Sequence, residues 1–206
     1  MGISAACRAA VRPVIVGVVL LAATTGCGHD ADGPDLAAAP TGVRWQDYQG
    51  VAVPVAEQGP TSVSSGVATG FEHSPRGAGL AAINHTIRLS VAPDSQWSGV
   101  VNAQVVPGPA RDEWAINRVQ LSITAAAQVE YAPKLLGYNI TEYGAEQSKV
   151  DVYTAYSDAS RAVNHTTVRW YGDDWRLQLP DPGSTARPID AIDALPEGIV
   201  ALEAPK

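Results

Sequence analysis

The sequence predicts an α+β domain, with three N-terminal helices packed on a curved four-stranded antiparallel sheet. Three observations predict it. Apolar residues recur at helical spacing from Leu80 to Leu121 and then switch to strict alternation beyond residue 134. Ser74 followed by Pro75 is a helix start, an N-cap with proline at the first helical position. Gly172-Asp173 between two tryptophan-bearing runs is a two-residue hairpin turn. The 206 residues, 46% apolar with a formal charge of −7, suit one modest domain with extra segments. Wholesale disorder and a multi-span membrane protein are excluded by the apolar share, and the acidic balance argues against nucleic acid as a ligand.

Residues 1–26 have the layout of a secretory signal. Arg8 and Arg12 precede an uncharged run from Pro13, and the small residues TTGC close it at Thr24–Cys27. The run is shorter than the ~20 apolar residues of a membrane span. The segment resembles a bacterial lipoprotein signal, in which the peptidase cuts before a Cys that carries diacylglycerol; here that residue is Cys27. Gly26 fits the motif, whereas Thr24 stands where Leu is usual. An ordinary secretory signal and an uncleaved anchor are the alternatives. The resemblance implies export and attachment through lipid to the outer face of the cytoplasmic membrane. Cleavage would remove Arg8 and Arg12 and no acid, taking the charge from −7 to −9. It would also leave Cys27 without a partner for a disulfide.

Residues 27–66 read as a Gly-, Pro- and Ala-rich tether, interrupted by an arm around 43–55 whose Trp45, Tyr48, Val51, Val53 and Val55 suit docking on the domain. The α+β domain is expected over 67–181. Its first helix runs from Pro75 to Val91, a shorter one from Pro93 toward Val105, and a third from Ala110 to Thr124. Strands follow at 134–143, 148–157, 161–171 and 174–180. Pairing Trp170 with Trp175 puts Thr166, Val168, Trp170, Trp175, Leu177 and Leu179 on one face. A three-residue loop Asp158-Ala159-Ser160 adds Val150, Val152, Thr154 and Tyr156 to that core face, whereas a two-residue loop would turn them outward. Residues 182–206 read as a Pro-rich C-terminal tail.

Three helices followed by long strands ending in TTVRWYGDDWRLQLP (Thr166–Pro180) resemble the cone-shaped nuclear-transport-factor-2-like superfold. Its members include ketosteroid isomerase and the soluble domains of VirB-eight-type and TcpC-type conjugation subunits. More narrowly, VATGFEHSPRGAGLAAINHTIRL (Val67–Leu89) and the closing strand pair resemble actinobacterial lipoproteins linked with mobile elements. The resemblance implies an accessory of a conjugation or secretion apparatus, with dimer or assembly contacts on the outer sheet face.

The residues themselves nominate little chemistry. His29, His73, His85 and His165 lack metal-site spacing, so no metal and no cofactor is expected. No G-x-S-x-G elbow marks a nucleophile. Gly77 and Gly79 lie in the first helical turns and suit close helix-to-sheet approach, not phosphate binding. Asn84, Asn139 and Asn164 stand in glycosylation sequons, read as chance polar positions in a bacterial chain. An isomerase-like reaction would need an acid or base in a dry pocket, and Tyr138, Asp151, Tyr153 and His165 are the available groups. In the chosen register Asp151, Tyr153 and His165 face outward and no catalytic residue is assigned. The outer face, carrying Tyr153, His165, Arg169, Tyr171 and Arg176, has the aromatic and Arg content of an interface. It is the candidate surface for a membrane-protein partner or a second copy. Trp170, Trp175 and Tyr138 are the candidate core or pocket residues. The expected function is that of a non-enzymatic, lipid-anchored docking protein. The alternative is a small-molecule binding protein or isomerase-like enzyme using the cone interior.

Overall fold

The computed structural model describes residues 33–204; Cys27 and the leader lie outside them. Two short hairpins come first, β1 (Arg44–Tyr48) with β2 (Val51–Val55), and β3 (Ser62–Ser64) with β4 (Val67–Thr69). The helices α1 (Pro75–Val91), α2 (Trp97–Gln104) and α3 (Pro109–Arg118) follow. Then come β5 (Lys134–Tyr143), β6 (Gln147–Ala155), β7 (Arg161–Trp170), β8 (Trp175–Gln178), β9 (Ile189–Ile192) and β10 (Val200–Ala201). These six strands form one antiparallel sheet in the order β10-β5-β6-β7-β8, with β9 also paired to β7.

This corrects the expected architecture of three N-terminal helices on a four-stranded cone. The helices are preceded by four strands, and the sheet has six strands rather than four. β1, β2 and β3 lie in the segment read as tether, β4 at the start of the expected domain, and the two added sheet strands in the segment read as tail. Val51, Val53 and Val55 are buried and β2 packs against α1, so the chain from Gly33 onward belongs to the fold. The described part of 182–206 supplies β9 and β10. Strands as short as β9 and β10, four and two residues, span too few alternations to leave a periodic signal, and their partners are distant in sequence.

Helix α1 starts as its residues dictate. Ser74 is extended and its side chain accepts from the Gly77 N–H, while Pro75 needs no hydrogen bond there. Gly79 lies against the Tyr138 ring, where an added Cβ would fall 2.4 Å from a ring carbon. That contact lets α1 sit close on the sheet. Helix α3 ends at Arg118, short of Thr124. The Arg118 guanidinium donates to the Ala92 and Leu121 carbonyls and to Asp94, and Asp94 also accepts from Ile123 N–H. These bonds draw the chain after Arg118 back to the α1–α2 junction.

Gly172 and Asp173 both have positive φ, 63° and 61°, so the β7–β8 turn pairs Trp170 with Trp175. Between β6 and β7 the loop is Ser157-Asp158-Ala159, closed by Tyr156 N–H donating to Ser160, with Ala159 at φ 66°. It sits one residue earlier than the loop read from sequence. Val150, Val152, Val168, Trp175 and Leu177 share the buried cluster with α1 residues Leu80 and Ile83. Tyr156 lies beyond this core, at 39% exposure.

The C-terminal segment joins opposite edges of the sheet. From β9 to β10 is four strand spacings, roughly 19 Å, and the stretch from Ile192 to Val200 can reach about 27 Å. That permits a direct crossing and no detour around the helices. Helix α1 packs on the core face and the outward-pointing Arg161 side chain meets the Asp193 carbonyl, so we place residues 193–199 across the outer face as a strap. Beneath this path lie Val163 and its cross-strand partner Tyr153, only 5% and 4% exposed although both point outward. Arg161 donates to the Asp193 carbonyl where the strap begins.

Candidate functional site

The outer face follows from strand alternation, odd-numbered residues of β6 and β7 pointing away from the core. Its rows are set by register. Gln147, Arg169 and Arg176 lie side by side, then Lys149, Thr167 and Gln178, then Asp151 and His165. Between β8 and β9 the chain leaves the sheet edge and returns at Pro188, whose carbonyl accepts from His165 N–H. This excursion walls a cleft of about 710 Å³ over the rows, lined by Lys149, Asp151, His165, Arg169, Gln178 and Arg187 among others. Such a volume lies within the ~300–1,000 Å³ of ligand clefts.

Most charges in the cleft are engaged. His165 Nδ1 is 2.7 Å from Asp151 Oδ1, and its Nε2 is 3.4 Å from Asp190 Oδ2. Asp190 also lies 3.6 Å from Arg187, and Lys149 Nζ is 2.6 Å from Glu142. Arg169 is exposed and has no acidic partner among the described residues. On the far side of the β8–β9 gap, Leu89, Leu177, Leu179, Pro180 and Ile189 line a smaller, mostly apolar slot of about 160 Å³.

Of the residues nominated from sequence, His165, Arg169, Tyr171 and Arg176 stand on the outer face, and His165 and Arg169 line the cleft. Tyr153 does not belong with them. It points outward but is buried; burial, and then the Asp151 carboxylate, push its phenol up. Tyr138 and Trp175 are core residues at 0% exposure. Burial pushes the Tyr138 phenol up to about 12, and its hydroxyl has no hydrogen-bond partner. The Trp175 indole N–H donates to the Glu72 carbonyl. Trp170 is half-buried and stacks on His73 at 3.9 Å.

Sequence reasoning missed Asp190, Arg187 and Pro188, because nothing periodic in the tail showed that it returns to β7. It also missed the structural weight of His85. This ring is 1% exposed, its Nε2–H donates to the Trp175 carbonyl, and desolvation pushes its pKa down to about 4. Among the described residues no group of three or more His, Cys, Asp or Glu is placed to hold a metal ion.

One protein family matches residues 20–200, nearly the whole chain, under the description Domain of unknown function (DUF8175). The chain belongs to this family. The match takes in Cys27, the three helices of the described residues, and the C-terminal segment up to the first residue of β10. The DUF8175 description states no activity, substrate or partner. No curated protein and no solved structure matches the chain. Among the described residues of this DUF8175 chain, no helix is long and apolar enough to cross a membrane.

Proposed function

We propose that the protein is a non-enzymatic docking lipoprotein, attached through lipid on Cys27 to the outer face of the cytoplasmic membrane. It serves a membrane-bound apparatus of the conjugation or secretion type suggested by its sequence resemblance. The observation that carries the docking role is the outer-face cleft. It is open to solvent and lined by His165, Arg169 and Arg187, a mixture suited to polar recognition of a protein segment. The other sheet face is filled by α1 and supports no such role.

Cell fractionation tests the anchor. The native chain is expected in the membrane fraction and Cys27→Ser in the soluble fraction; a Cys27→Ser chain that stays with the membrane overturns lipid attachment. Photo-crosslinking from positions 171 and 186, beside and within the cleft, tests the docking role, position 153 being unsuitable because Tyr153 is buried. A discrete crosslink to one membrane protein is expected, and recovery of uncrosslinked monomer alone overturns docking through this face.

A further inference from the structure

Arg169 and Arg176 stand directly opposite each other on β7 and β8, both on the outer face. Residues in this relation have Cβ atoms about 5 Å apart, and like charges so placed repel. The usual remedy is an acid between or beside them, yet neither guanidinium has one within salt-bridge distance among the described residues. Arg176 leans on the Tyr171 ring, 5.1 Å from its centroid, and its Nε is buried without a hydrogen-bond partner. Arg169 borders the cleft, and Lys149 adds a third cation one row along. Lys149 is already paired with Glu142, so the two arginines, Arg169 on the cleft and Arg176 beside it, are the cations left without an acidic partner at this end, in a chain of net charge −7. Asp151 lies in the next row, with Asp190 reaching His165 from β9, and Asp190 is also paired with Arg187.

Resting on the docking role above, we propose that the Arg169–Arg176 pair receives a carboxylate, and that the docked segment is an acidic stretch of a partner protein. A carboxylate beside the two guanidiniums offsets their repulsion and gains charge-assisted hydrogen bonds.

The test uses the full chain in detergent, with a fluorescein-labelled hexaglutamate peptide as probe and hexalysine as its counterpart. Hexaglutamate is expected to bind, to weaken as salt is raised, and to lose about tenfold or more in affinity in Arg169→Gln and in Arg176→Gln. Arg44→Gln is the control, since Arg44 is exposed on the hairpin that packs against α1. Without probe, Arg169→Gln is expected to leave the Tm unchanged or raise it, whereas a merely structural arginine would lower it. Equal loss in Arg44→Gln, equal binding of hexalysine, or arginine-dependent binding of inorganic phosphate without hexaglutamate binding overturns the proposal. A crosslinked membrane partner together with no hexaglutamate binding would leave docking standing and remove the acidic segment. Hexaglutamate binding with no crosslinked partner would do the reverse.

Discussion

His85 shows how one buried residue governs the response to pH. Desolvation is the main cause of its low folded value of about 4 against an ordinary 6.5, opposed by the hydrogen bond to Trp175 and the charge of Asp174. The unfolded chain therefore binds this proton first as pH falls. Stability from keeping the ring neutral is complete above about pH 6.5, declines through the interval down to about 4, and is lost below it. The full effect is roughly 3 kcal/mol, of which about 2 kcal/mol is lost by pH 5. Asp94, held below the usual carboxylate range chiefly by the Ile123 N–H, titrates beneath this interval. Denaturant unfolding at pH 7 and pH 5 should show the native chain losing stability and His85→Gln losing markedly less. Equal losses would assign the acid sensitivity elsewhere. Nothing in the sequence around Asn84-His85-Thr86 signals this burial, because it depends on Trp175, ninety positions away.

At the scale of elements, helix α1 was legible because its information is local. Ser74, Pro75 and the Leu80, Ile83, Ile87 spacing mark its start and its buried side within one stretch of chain. The β7–β8 turn was legible for the same reason, Gly172 and Asp173 both taking the positive φ that their residue types tolerate. Gly79 was read as a point of close approach, and the Tyr138 ring is what it approaches. Gly79→Ala is therefore expected to destabilise by about 1–3 kcal/mol despite alanine's better helix propensity, because α1 must lift from β5. Thermal unfolding measures it; an unchanged or higher Tm would mean that the ring simply moves aside. The outer face was legible only in part. Alternation placed Tyr153 beside His165, but could not show that a strap from forty residues later crosses over it.

For the whole molecule, the domain expected at 67–181 is only the middle of the fold. The last strands are held by partners far along the chain and the first hairpins by packing on α1 and α2, contacts that no local period announces. A chain ending at Asp181 would lose β9, the strap and β10. It would expose Tyr153 and Val163 and leave both Gly137 and Val163 at unpaired edges. Its Tm should fall by about 5–10 °C or more relative to the full chain, with broadened unfolding. Unaltered melting would show that the C-terminal segment is dispensable decoration. The candidate cleft would go with it, since Pro188 and Arg187 form one wall.

The strap also has a consequence in time. Residues near the end of the chain close both margins of the sheet, so native structure cannot be completed until the last of them is free. A polypeptide threaded through a membrane N-terminus first would remain incompletely folded for the entire passage. It would lock only as its final strand emerged on the far side.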